Sequence, residues 1–223
     1  MSPRPKALLS WSSGKDSAYS LFVARQQGAF DIVGLLTTVT SNYERVSMHG
    51  VRESVLEEQA RRTGLPLTKV SIPAPCPNEV YEAAMLAAMN EARAAGITHV
   101  VFGDLYLEDI RAYRDANLAK VGMSAAYPLW GRNTRELAQE MVDAGLRAVL
   151  TSIDPRRLPA SFAGRIYDQA LLGDLPPDVD PCGEDGEFHT CVISGPMLSG
   201  PLDVSVGEVV TRDGFVFADV ALR

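Results

Sequence analysis

Residues 6–17, KALLSWSSGKDS, constrain the fold more than any other stretch of the chain. Ala7, Leu8, Leu9 and Trp11 have strand character, and Ala18, Tyr19, Leu21, Phe22 and Ala24 recur at helical spacing beyond them. Between the two lies Ser12-Ser13-Gly14-Lys15-Asp16-Ser17, so the segment is strand, tight polar loop, helix. Such a loop turns unpaired backbone N–H groups and the positive end of the helix dipole toward one point, which favours an anion, phosphate above all. Gly14 permits close backbone approach, Lys15 adds a compact charge, and the hydroxyls of Ser12, Ser13 and Ser17 are donors. A plain capped strand–helix turn is the alternative, but adjacent Lys and Asp serve little structural purpose in so short a turn.

Two common phosphate motifs are excluded. A Walker A loop needs Gly five residues before its Gly-Lys pair and Ser or Thr after the Lys, where this chain has Leu9 and Asp16. A dinucleotide fingerprint needs three spaced glycines, and only Gly14 is present. The segment resembles instead the S-G-G-K-D-S loop of the PP-loop ATP pyrophosphatases, with Ser13 at one glycine position. The resemblance implies a grip on the pyrophosphate of ATP and transfer of AMP, and Ser13 reduces backbone freedom at that point of the loop.

A chain of 223 residues can bury one sizeable core with a smaller appended unit. Its 46% hydrophobic and 22% charged content excludes a disordered chain or coiled coil. No apolar run is long enough to span a membrane and the first residues carry no signal-peptide pattern, so a cytoplasmic protein without membrane partners is expected. Cys76, Cys182 and Cys191 form no C-x-x-C pair and fit reduced thiols. The formal net charge of −7 argues against broad nucleic-acid binding.

Residues 31–39 form a second, near-continuous apolar strand of the kind found in parallel sheets. Leu36, Thr37 and Thr38 at its carboxyl end are candidate adenine contacts, because open α/β sheets bind ligands there. His49, in the polar connection that follows, is either a loop-packing residue or a nucleotide contact. Residues 51–63 read as a helix stopped by Gly64, 67–72 as a strand, 79–95 as a helix capped by Asn78, and 98–103 as a fourth strand. That strand runs into Gly103 and Asp104, with Glu108 further on; Arg111, Arg114 and Asp115 read as a solvated face. Residues 125–130 form a short fifth strand, Asn133 and Glu136 a capping box, and 147–153 a sixth strand. The alternation predicts an α/β fold, a doubly wound parallel sheet of Rossmann-like type. Beyond Asp154, prolines and then alternating strands at 187–194, 204–211 and 215–222 predict a smaller C-terminal α+β domain, with Arg212-Asp213-Gly214 as a hairpin turn. The expected division is 1–155 for nucleotide binding and 156–223 for substrate.

Residues 180–190, DPCGEDGEFHT, carry the densest reactive side chains. Gly183 and Gly186 allow a folded loop that can aim Glu184, Glu187 and His189 at one place, to hold Mg²⁺, bind an ammonium ion or serve as general base. A zinc site from Cys182, His189 and Cys191 matches no common spacing. An acidic surface turn is the structural alternative.

Taken with GDLYLEDIRAYR at 103–114 and PLWGRNTRELA at 128–138, these two loops resemble the diphthine–ammonia ligase branch of the PP-loop superfamily over nearly the whole chain. The resemblance implies ATP and Mg²⁺, adenylation of a small-molecule or protein carboxylate, release of pyrophosphate, and displacement of AMP by ammonia. It implies that Ser12, Ser13, Gly14, Lys15, Asp16 and Ser17 hold the phosphates, with Lys15 catalytic and Asp16 the metal ligand. Gly103 and Asp104 would border the nucleotide. Glu184, Glu187 and His189 would act on the substrate and ammonia, beside Glu108, Gly183, Gly186 and Phe188. Cys191 stands where an aromatic is common. A nucleotide sensor and a tRNA-modifying AMP-transfer enzyme remain alternatives, and a homodimer is the candidate assembly.

Overall fold

The computed structural model describes residues 3–40, 45–46 and 50–223; His49 lies outside them. In chain order the elements are β1 (Lys6–Ser10), α1 (Lys15–Gln27), β2 (Asp31–Thr40), β3 (Arg45–Val46), α2 (Glu53–Thr63), β4 (Leu67–Ile72), α3 (Asn78–Ala94), β5 (Ile97–Val101), α4 (Glu108–Lys120) and β6 (Ser124–Ala126). Then come α5 (Thr134–Asp143), β7 (Arg147–Ile153), β8 (Ile166–Tyr167), α6 (Gln169–Asp174), β9 (Phe188–Ser194), β10 (Val204–Arg212) and β11 (Phe215–Leu222).

The first sheet holds the parallel strands β4, β2, β1, β5 and β6 in that order, and β3 adds a short antiparallel pairing to the end of β2. The chain moves outward from β1 through β2 to β4, then returns to the other side of β1 for β5. The order therefore reverses between β1 and β5, where the strand ends leave a crevice for a ligand. Side chains of a strand alternate between faces, and β1 shows it: Ala7 and Leu9 join the core beneath α1, α2 and α5, whereas Leu8 joins a smaller cluster beneath α3 and α4. Helices on both faces make the sheet doubly wound, as its apolar strands predict.

The second sheet is antiparallel. Its centre is β7, paired with β9 on one edge and with β8 and β11 along the other, and β10 completes a hairpin with β11. This corrects the expected sixth parallel strand: Arg147–Ile153 belongs to the second sheet. Every residue from Ala148 to Ile153 is buried, and a central strand covered on both faces has the same continuous apolar pattern whichever sheet contains it. The second sheet lies over the helix layer of the first, with β9 against α1 and β11 against α2. The β10–β11 turn has positive φ at both Asp213 (51°) and Gly214 (82°), the conformation that a two-residue hairpin turn requires. Asn133 caps α5 by accepting from the N–H groups of Arg135 and Glu136 at 3.0 and 3.2 Å. By contrast α3 begins one residue earlier than expected, with Pro77 rather than Asn78 at the cap.

Candidate active site

The loop between β1 and α1 is knitted by its own hydroxyls. Ser17 Oγ donates to the Gly14 carbonyl at 3.0 Å, and the N–H groups of Ser12 and Gly14 donate to Ser17 Oγ and Ser12 Oγ, each at 3.3 Å. Strand β9 holds the loop from behind: the Val192 N–H donates to the Ser13 carbonyl at 2.8 Å, and the Lys15 N–H donates to Thr190 Oγ1 at 3.1 Å. Buried Gln59 of α2 joins the two, giving its amide N–H groups to the carbonyls of Ser13 (3.2 Å) and Val192 (2.7 Å) while accepting from Trp11 Nε1 at 3.1 Å.

Beside the loop, the end of β5 comes unusually close. A Cβ on Gly103 would lie 2.8 Å from both the Asp16 carbonyl carbon and the Ser17 nitrogen, so only glycine lets this strand end meet the first turn of α1. The third wall is residues 180–190. Gly183 has φ 67° and a Cβ there would stand 2.8 Å from the Phe188 carbonyl oxygen, which forces the loop to fold back on itself as its two glycines predict.

These walls enclose a cavity of about 460 Å³ at the β1–β5 crevice, lined by Ser12, Lys15, Asp16 and Ser17, by Gly103 and Asp104, and by Gly183, Glu184, Gly186, Phe188 and His189. Ser10, Phe102, Leu107, Ile110, Arg114, Thr190 and Phe215 complete it. Two loops separated by more than half the chain thus meet in one place, as the family resemblance implies.

Other expected residues stand elsewhere. Leu36, Thr37 and Thr38 do not line the cavity: the Leu36 carbonyl accepts from the Trp11 N–H at 2.8 Å, Thr37 Oγ1 donates to the Trp11 carbonyl at 2.6 Å, and Thr38 pairs with Val70 of β4. The ligand crevice opens on the other side of β1, so β2 serves the loop as a scaffold. Ser13 and Gly14 are buried behind the loop, and Ser13 Oγ has no partner among the described residues. Ser13 also takes φ 70°, a left-handed conformation that suits the glycine it replaces. Glu108 is exposed in the first turn of α4, where a carboxylate favours the helix dipole. Glu187 is fully buried and turned away from the cavity: its Oε1 accepts from the Asp180 N–H at 3.1 Å and from Arg157 Nη2 at 3.3 Å. It fixes the 180–190 loop to the turn after β7.

Arg114 is the residue that sequence reading assigned to a solvated face and the structure brings into the site. It pairs with Asp104, Nε to Oδ2 at 2.9 Å and Nη2 to Oδ1 at 3.1 Å, and its guanidinium stacks 4.4 Å from the Phe102 ring centre. Its position three residues after Arg111 on an amphipathic helix gave no sign of this, because the sheet that it faces is distant in sequence.

The charges are finely set. Lys15 is 2% exposed; its Nζ donates to both Asp16 oxygens, at 2.9 and 2.8 Å, and to the Cys182 carbonyl. Burial pulls the ammonium pKa down, but the adjacent Asp16 carboxylate and further negative neighbours outweigh it, so Lys15 keeps its proton. Burial pushes the Glu184 carboxyl up to about 7, against the Leu105 N–H that Oε1 accepts at 2.9 Å and with Asp16 adding to the rise. His189 is lowered to about 4, first by burial and then by Lys15, so its imidazole is neutral at neutral pH. Cys182 and Cys191 are buried thiols whose pKa burial raises, which keeps them protonated and unreactive. Among the described residues no three His, Cys, Asp or Glu converge as a metal cage. Mg²⁺ does not need one, since it is commonly held by one or two carboxylates together with nucleotide phosphates; Asp16 lies in this cavity with both its oxygens accepting from Lys15.

The chain is similar to known proteins. It is 31% identical to a diphthine–ammonia ligase of Bos taurus and 30% identical to one of Homo sapiens, each over 121 residues, which are 52% of this chain and 45% of the relative. A diphthine–ammonia ligase of Schizosaccharomyces pombe is 27% identical over 95 residues, 41% of this chain and 16% of that protein. The matches thus span less than half the length of these relatives. The sequence model described as diphthamide synthase N-terminal domain matches residues 5–125, and that described as diphthamide synthase C-terminal domain matches 133–219. With one domain carrying the phosphate-type loop and the other the carboxylate loop of a shared cavity, the chain belongs to the diphthamide synthase family, a diphthine–ammonia ligase-like branch of the PP-loop proteins.

Proposed function

We propose that this chain is an ATP-dependent ligase that adenylates a carboxylate, releases pyrophosphate and joins the acyl group to ammonia. The observation that carries this is the meeting of Lys15, at the first turn of α1, with Glu184 in one cavity at the crevice of the sheet. The names of the relatives support ammonia as the amine donor. The expected division gives the nucleotide to the first part and the acceptor to the second, with the boundary moved ahead of β7, the centre of the second sheet, and the cavity draws on both.

A carboxylate oxygen attacks the α-phosphorus of ATP and the bond to pyrophosphate breaks. Ammonia then attacks the acyl carbon, the C–N bond forms and AMP leaves with the bonding electron pair. Ser12, Ser17 and the positive end of the α1 dipole bind the phosphates, and Lys15 stabilises charge that develops on the leaving pyrophosphate; one such preorganised contact is worth about 3–4 kcal/mol in comparable sites. Asp16 would hold Mg²⁺ with the phosphates, and the bound ion supplies Lewis-acid charge neutralisation. Glu184, poised near neutrality, takes the proton that the attacking ammonia sheds. His189 and Gly186 shape the acceptor side. Glu187 holds the loop and is assigned no step.

The test is AMP and pyrophosphate production from ATP, Mg²⁺, ammonium and a panel of carboxylates, for wild type, Lys15→Ala and Glu184→Gln. Acceptor-dependent turnover that falls at least a hundredfold in Lys15→Ala supports the ligase. ATP binding with no turnover for any acceptor, including cell extract, would leave a nucleotide sensor instead. Because Lys15 is buried in an ion pair, each variant needs an unfolding curve alongside its rate.

A further inference from the structure

Strand β10 is hydrogen-bonded to β11 on one side and, among the described residues, to no strand on the other, so it forms an outer edge of the second sheet. An edge strand presents a row of free N–H and C=O groups to any other strand that approaches, and native edges are blunted by lysine, proline, well-placed charge or a bulge. β10 contains neither lysine nor proline. Its bulge lies upstream: the register with β11 slips between Val206 and Val209, which sets Gly207 and Glu208 together against Asp219. From Val209 to Arg212 the pairing is regular, and Val209, 48% exposed, is an apolar β-branched side chain on that bare stretch.

The charges on this stretch choose the partner. Glu208 and Arg212 are exposed, and neither has a hydrogen-bond or ion-pair partner among the described residues. Both stand with Val210 on the face of the strand that borders a cavity beside Phe217 and Asp219. Residues opposite one another in an antiparallel pair share a face and touch. Two copies of β10 laid antiparallel about a two-fold axis at Val210 therefore set Glu208 of each copy against Arg212 of the other, and Val209 against Thr211 on the other face. Moving the axis to residue 208 or 212 opposes like charges, and moving it to 209 or 211 leaves both charges facing uncharged residues. The neighbouring charges do not oppose the register at Val210. Asp219, beside Glu208, is already paired with Arg52 at 2.6 Å, and Asp213 in the turn falls opposite Gly207.

We propose that β10 is a homodimer seam, in which two copies of this chain pair antiparallel about Val210 into one continuous sheet fastened by two Glu208–Arg212 ion pairs. The seam stands apart from the ligase reading and does not depend on it. Because the paired stretch is short and the bulge ends it, the dimer belongs to the weak class of interfaces below about 1,200 Å² and forms reversibly.

Sedimentation velocity of the full chain across the micromolar range tests this. The wild type should show a monomer–dimer equilibrium. Arg212→Glu and Glu208→Arg should each raise the dissociation constant at least about tenfold, since each places like charges opposite one another. The chain carrying both exchanges should dimerise as the wild type does, because its two ion pairs are rebuilt with reversed sign. An equimolar mixture of the two single variants should form a heterodimer for the same reason. Both sites are exposed, so each variant should keep the wild-type unfolding curve. A wild type that stays monomeric throughout, or a dimer indifferent to both single exchanges, overturns the proposal. Dissociation by the single exchanges without recovery in the double exchange and in the mixture overturns it as well, since the two charges would then not face each other.

Discussion

Helices α1 and α3 cover opposite faces of one sheet, yet α1 buries Lys15, Ser17, Ala18, Tyr19, Ser20, Leu21 and Ala24, whereas the longer α3 buries only Met89 and Ala92. The difference comes from what lies beyond each helix. Strand β9 packs on the outer side of α1, so even its polar residues are enclosed and must find partners inside the protein. Among the described residues no second layer covers α3, and Val80 and Leu86 are exposed. One face is thus closed around a polar loop with fixed hydrogen bonds, and the other is open and apolar. The groups to which the proposed reaction assigns roles lie on the first.

If this contrast is right, substitutions on the closed face should cost most. Gln59→Leu deprives Trp11 Nε1 and the Val192 carbonyl of their buried partner, while the Ser13 carbonyl keeps the Val192 N–H; at about 1–3 kcal/mol for each group left unsatisfied, a loss of about 4 kcal/mol is expected. A urea-unfolding loss below about 1 kcal/mol would show that β9 is not fastened to the loop in this way. Gly103→Ala drives a methyl group into the α1 backbone and should cost about 2–3 kcal/mol. It should also weaken ATP binding, because the first turn of α1 has to move; calorimetric titration measures this.

The titration of Glu184 sharpens the comparison by pH. Its folded-state pKa of about 7 lies above the ordinary 4.5, so the folded chain holds this proton more tightly than the unfolded one. Its contribution to stability is full below about 4.5 and is lost as pH rises through about 7. Urea curves at pH 5 and pH 8 should show Glu184→Gln without that decline, while its turnover loses the rise toward pH 8 expected of a general base in the wild type. Ser13→Gly should stabilise by about 1 kcal/mol, since it relieves a left-handed serine and removes a buried hydroxyl without a partner, offset in part by glycine's greater freedom when unfolded. At the small end, Leu86→Ser on the open face should change stability by no more than about 0.5 kcal/mol.

Local signals in the chain carried the parallel sheet. The strand–loop–helix at 6–24, the capping of α5 by Asn133 and the β10–β11 turn depend on neighbours within a few residues, and periodicity and turn chemistry expose them. What escaped depended on distant partners. Nothing in Arg147–Ile153 tells one sheet from the other, because burial on both sides erases alternation. The direction of Glu187 is set by Arg157 and the Asp180 N–H, and that of Arg114 by Asp104 and Phe102. Two carboxylates three residues apart, Glu184 and Glu187, look alike in sequence and are turned to opposite uses by the fold.

The bonds from β9 and Gln59 to the first loop bear on how such a chain can be divided. An excised 5–125 segment would keep the glycine, lysine and serines of its loop but leave the Ser13 carbonyl, the Lys15 N–H and the buried flank of α1 facing water. The first unit is therefore not a portable cassette. Fusion to a foreign partner would have to bring a strand that reproduces those bonds, and gene duplication or loss would act on the two halves together.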